Sequence, residues 1–187
     1  MNGLRQLHPF AEAPPVTVRA GAECRPEGLF LRYLLGGELS SLFLPPRGDA
    51  PSRQDKLWET TCLECFFGLR DLPGYWEVNL SPTGDWNVYA FTDYRQGMRM
   101  ETAIGALAIT TTASSDTLAI TVLLPTAKLF GPDETIQAGL CAVLQERSGQ
   151  KSFWALTHPA AQPDFHARQG LVLELSTTAG PSMGRRG

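Results

Sequence analysis

Between Cys62 and Leu80 apolar and polar residues alternate in two runs joined by a short Pro-Gly link. Successive side chains on a strand point to opposite faces. In Cys62 to Leu69, the residues Leu63, Cys65, Phe67 and Leu69 therefore share one face, and Cys62, Glu64 and Phe66 share the other. In Tyr75 to Leu80, Trp76, Val78 and Leu80 point one way, and Tyr75, Glu77 and Asn79 the other. The link Asp71-Leu72-Pro73-Gly74 predicts a tight connection, so the runs are expected to pair as antiparallel neighbours. Leu63, Phe67, Trp76 and Val78 would then lie between two sheets. Glu64, Glu77 and Asn79 would share the opposite face. One-sided sheets often turn such residues to water. A cluster of two carboxyls and an amide, flanked by Trp58 and Trp86, reads instead as a face that binds a polyhydroxylated small molecule.

Strand signals dominate the rest of the chain. Extended segments are predicted at Pro15 to Ala20, Gly28 to Leu35, Ser41 to Leu44, Trp86 to Phe91, Ala103 to Thr112, Thr117 to Leu124, Ser152 to Leu156 and Gly170 to Leu175. Ile136 to Gln145 fits either period and is read as a strand. Pro125 to Phe130 suggests one helical turn. The stretch from Arg47 to Lys56 reads as a long loop, and Ser81 to Asp85 as a turn. About ten short strands with turns between them predict an all-β fold, an antiparallel sandwich of jelly-roll or immunoglobulin-like type. Residues 1–176 are expected to form a single domain, and Thr177 to Gly187 a disordered tail.

Composition narrows the function classes. A chain of 187 residues suits one domain with a sizeable core. With 19% charged residues and a net charge of −3, it has no electrostatic footprint for nucleic acid or an anionic membrane. No apolar run is long enough for a membrane-spanning helix. The first fifteen residues lack the apolar stretch of a secretory signal, so a cytoplasmic location is expected. Four cysteines do not form a disulfide scaffold in a chain of this size. Cys62 and Cys65 form a CxxC, but on a strand they face opposite sides, and no second pair completes a tetrahedral metal site.

One set of motifs is more specific. Trp58 precedes Glu64 by six positions, and YWEVNLSP (75–82), GDWNVYAF (84–91), YR (94–95), FWALTHP (153–159) and PDFH (163–166) follow. This order resembles the DOMON-like bacterial domains, relatives of the family 9 carbohydrate-binding modules. The resemblance spans about Val16 to Leu175 and implies a β-sandwich that binds a sugar or a haem on one sheet, without catalysis. In the sugar-binding branch two aromatic rings hold a sugar while a Glu, an Arg and an Asn fasten its hydroxyls. Trp58, Glu64 and Asn79 match that pattern, but Glu77 stands where the family has its Arg. Trp154 and Phe165 are the candidates for the second ring. The expected site is therefore Trp58, Glu64, Glu77 and Asn79, with Arg95, Trp154, Phe165 and His166.

Three other chemistries have candidate residues. The haem branch would use a Met with a His or a Lys, and Met98, Met100, His158 and His166 are available. No spacing singles out a pair, so the expectation is no cofactor. The loop holding His158, Asp164 and His166 offers three donors for a metal, or ligand contacts, or bonds to its own backbone. Glu64 and Glu77 have the residue types of a glycosidase pair, but a shallow sheet face seldom encloses a site that raises one carboxyl's pKa. The chain is thus expected to be a non-catalytic domain binding a carbohydrate or sugar derivative. A haem- or metal-binding sensor and a structural or partner-binding module are the alternatives. Its oligomeric state is left open.

Overall fold

The computed structural model describes residues 3–46, 48, 50–131 and 134–176. The tail expected to be disordered, 177–187, lies outside the described residues. Thirteen strands and no α-helix occur among them. In chain order the strands are β1 (Arg5–Gln6), β2 (His8–Pro9), β3 (Val16–Arg25), β4 (Gly28–Gly37), β5 (Cys62–Leu69), β6 (Tyr75–Leu80), β7 (Trp86–Phe91), β8 (Arg99–Met100), β9 (Ala108–Ala113), β10 (Thr117–Leu124), β11 (Thr135–Gln145), β12 (Lys151–Ala155) and β13 (Leu173–Ser176). They form two antiparallel sheets. The smaller has the order β1-β3-β4-β10-β9, and the larger β2-β12-β11-β5-β6-β7-β8. β13 pairs with Thr135–Ala138 of β11, and β12 with Cys141–Gln145 of the same strand. The all-β antiparallel sandwich predicted from the sequence is the fold observed.

The core lies between the sheets. Val18, Ala20, Leu31, Tyr33, Leu35, Ile120 and Val122 come from the smaller sheet. Leu63, Cys65, Phe67, Val78, Leu80, Val88, Leu140 and Ala142 come from the larger. Strand β10 alternates buried and more exposed residues, as a strand with one face to water does. Strands β5, β7 and β11 do not: nearly every residue in them is buried. Both faces of the larger sheet are therefore covered, one by the core and the other by loops. That second cover makes a site possible.

The pairing of β5 with β6 follows the expected register, with Glu64 opposite Asn79 and Phe67 opposite Trp76. Trp76 differs in degree: it is half-buried, stacked on Phe67 at 5.5 Å and packed near Phe130. Its indole N–H must reach an acceptor, and it donates to the Glu101 carboxylate at 3.1 Å.

Boundaries depart from the sequence reading in several places, and β3 runs on to Arg25 beyond the expected Ala20. Ser41 to Leu44 contributes only one bridge, Leu42 to Glu146, after a short 3₁₀ turn at Leu39–Ser41; Pro45-Pro46 brings no N–H to extend a ladder. The strand expected from Ala103 begins at Ala108, because side chains already satisfy the earlier backbone. Glu101 Oε1 accepts from the Ala103 N–H, and Arg53 donates to the Ile104 carbonyl. Gly170 ends a 3₁₀ turn, and β13 starts only at Leu173. At the β3–β4 turn Gly28 has φ +143°, and a Cβ there would strike the Leu124 carbonyl, so glycine is required.

Candidate ligand-binding site

The outer face of the larger sheet carries two rows of side chains fixed by strand register. One runs Cys141, Glu64, Asn79, Asn87 across β11, β5, β6 and β7. The next runs Gly139, Phe66, Glu77, Tyr89 and ends at Met100 on β8. Glu64 and Glu77 are thus diagonal neighbours on adjacent strands, within reach of one another. Both are buried, at 2% and 5% exposure.

Three loops cover this face. In the first, Ser52 and Gln54 hydrogen-bond to the backbone of Trp86 along the edge of β7. Arg53 fastens the loop: Nη1 donates to Asn87 Oδ1 at 2.7 Å, Nη2 donates to the Glu101 and Ile104 carbonyls, and the guanidinium lies 4.2 Å from the Trp86 ring centre. The Asp55 carboxylate then accepts from the Tyr89 hydroxyl and the Asn87 amide. A left-handed Lys56, φ 58°, leads into the 3₁₀ turn Leu57–Glu59. That turn sets Trp58 edge-on to Tyr89 with ring centres 5.5 Å apart.

The second and third loops clasp each other. Arg95, also left-handed at φ 53°, donates its backbone N–H to the Tyr75 hydroxyl. Its guanidinium donates to Asp164 Oδ1 at 2.9 Å, while the Tyr94 hydroxyl donates to Asp164 Oδ2 at 2.8 Å. Asp164 Oδ1 also accepts the His166 backbone N–H. One carboxylate thus ties the PDFH segment to the β7–β8 loop. The His166 ring sits edge-on to Phe66 and Phe91, its Nδ1 2.8 Å from the Tyr75 hydroxyl. His158 lies elsewhere, packed on Phe10 with Nε2 against the His8 carbonyl.

Together these groups enclose a pocket of about 420 Å³. Of the residues expected at the site, Trp58, Glu64, Glu77, Arg95, Phe165 and His166 line it. Asn79 lies just beneath, donating to Glu77 Oε1 at 2.8 Å and accepting from the Cys62 thiol. Trp154 is misplaced by the sequence reading: it points into the core, 3% exposed, its indole N–H bonded to Ser152. The parity of β12 is the reason, since with Trp154 inward Phe153 faces the pocket. Phe66, Phe91, Met98, Val143, Phe153 and Pro163 complete the lining. Phe66 had a signal in the sequence, because it shares the parity of Glu64.

Burial dominates the electrostatics. The Glu64 carboxyl is pushed well above the usual range by burial and then by Glu77, despite the Cys62 thiol beside it. Glu77 is pushed up to about 7 by burial, moderated by its bond from Asn79 and by Arg95. His166 is pushed down to about 4 by burial and then by Arg95, so its ring is neutral at neutral pH. The Tyr75 hydroxyl already accepts an N–H from Arg95, so its proton is free for Nδ1. Haem fits this pocket poorly. Met98 and His166 both line it, but a porphyrin there would press apolar surface on two buried carboxyl groups that need polar partners.

No protein-family model matches the sequence, and no curated protein matches it. Solved structures do. A Bacteroides uniformis protein described as a candidate carbohydrate-binding protein superposes with a TM-score of 0.58 over 86% of this chain and 77% of its own, at 14% identity. A family 9 carbohydrate-binding module from Caldicellulosiruptor kristjanssonii, solved with cellotriose, gives a TM-score of 0.58 over 93% of this chain and 81% of its own, at 8% identity. A structure of such a module from the same organism with glucose gives 0.53, covering 94% and 84%, at 8% identity. The chain has the sandwich fold of these modules. At such low identity the likeness extends to fold alone.

Proposed function

We propose that the chain is a non-catalytic, DOMON-like binding domain whose pocket on the larger sheet holds a carbohydrate or sugar derivative. The observation that carries this reading is the pairing of chemistries in one cavity. Flat rings at the walls, Trp58, Phe91 and Phe165, stand around two carboxyl groups on the floor. A sugar has the complementary surface, with C–H faces that stack on rings and hydroxyls that meet fixed acceptors. Modules of the same fold solved with cellotriose and glucose support the ligand class.

Against hydrolysis stands the placement of the acids. Glu64 and Glu77 rise from neighbouring strands on one sheet face, so both meet a ligand from the same side. Glycoside cleavage needs its two carboxyl groups flanking the bond. A screen of monosaccharides and short glycans by calorimetry tests the reading. Binding in the micromolar to millimolar range is expected, because each hydrogen bond replaces one to water. Trp58→Ala should remove most of it and Asn79→Ala part, the latter by releasing Glu77. Absence of any hit in folded protein, or release of reducing sugar from a glycan, would contradict it.

A further inference from the structure

The pocket floor is more acidic than recognition of a neutral sugar requires. Glu64 is 2% exposed, and its Oε1 accepts no hydrogen bond among the described residues. Among the described residues Glu77, its diagonal neighbour, has one donor, the Asn79 amide. The cation nearest by position, Arg95, is half exposed and already paired with Asp164. Other titratable groups around the pair, on either side of the sheet, do not supply charge. The Cys62 and Cys141 thiols and the Tyr33, Tyr75 and Tyr89 phenols are all pushed up, burial being the largest cause in each, and stay neutral. His166 is neutral as well. A buried carboxylate without a partner is strongly unfavourable, and two side by side more so. Around them stand Trp58, Phe66, Phe91 and Phe165, rings whose faces attract cations.

We infer that this pocket selects a ligand that places a protonated amine against Glu64 and Glu77, namely an amino sugar whose amine is free. The inference deepens the sugar-binding reading and rests on it. An ammonium group supplies both the missing donors to Glu64 Oε1 and a counter-charge for the carboxylate, which a neutral polyol could hydrogen-bond but not neutralise. Binding then lets the acids ionise, so complex formation releases protons.

The test is calorimetry near neutral pH on the unaltered protein with glucosamine, galactosamine and mannosamine. Each is compared with its N-acetylated form and with the parent neutral hexose. At least one free amine should bind about tenfold or more tighter than both counterparts. Its heat should vary with buffer ionisation enthalpy in the sense of proton release. Glu64→Gln should reduce that preference to about threefold or less. Neutral or acetylated sugars binding as well as the amines would overturn the inference while leaving the sugar-binding reading standing. No binding by any member of the panel to folded protein would overturn both.

Discussion

Glu64, Glu77 and His166 make the stability of the ligand-free protein depend on pH in two opposing ways. Below about pH 4.5, the ordinary carboxyl value, Glu77 is protonated whether the chain is folded or not. As pH rises from there through about 7, the unfolded chain gives up a proton that the folded chain keeps, so stability falls; Glu64 acts in the same sense. His166 acts oppositely. Its value drops from 6.5 to about 4 on folding, so stability falls as pH is lowered through that window. The Glu64→Gln, Glu77→Gln double variant should therefore gain thermal stability as pH rises from about 4 to 6.5, and His166→Asn should lose it over the same span. Unfolding temperatures followed across pH check this. Identical pH profiles for the two variants would refute the assignment.

Among the covering segments, the loop that carries Trp58 is held by its own Arg53 and Asp55 side chains. Arg53 bonds Asn87 and the carbonyls of Glu101 and Ile104, linking the loop to β7 and to the segment before β9. Arg53→Ala should cost about 1–3 kcal/mol of stability and weaken sugar binding by freeing Trp58. Chemical denaturation and calorimetry on the same variant check both effects. Arg53 was invisible as a site residue because it touches the ligand-facing ring only through the loop it holds. The elements that were legible are those with strict alternation. In β5 and β6 the period of two assigns Glu64, Glu77 and Asn79 to one face and Leu63, Phe67 and Val78 to the other. β12 is too short to fix its own parity, and its neighbours decide that Phe153, not Trp154, faces the pocket.

For the whole molecule, the account turns on an asymmetry between the two sheets. The smaller sheet shows water a polar face, while the larger is buried on both sides because loops separated by long stretches of sequence close over it. The sandwich followed from strand density and turn signals, which are local. The pocket did not, because joining Arg95 to Asp164 and Tyr75 to His166 spans 69 and 91 residues, and no local pattern records such contacts. The most direct test of a sugar site on that covered face is a titration monitored by the indole N–H resonances of the four tryptophans. Trp58 lines the pocket, Trp76 is bonded to Glu101, Trp86 lies in the core beneath Arg53, and Trp154 is bonded to Ser152. With a bound hexose or amino sugar, the Trp58 signal should move in a saturable way while those of Trp76, Trp86 and Trp154 stay nearly fixed. A saturable shift at Trp76 or Trp154 with Trp58 unmoved, or no shift at any indole up to millimolar sugar in folded protein, would contradict the account.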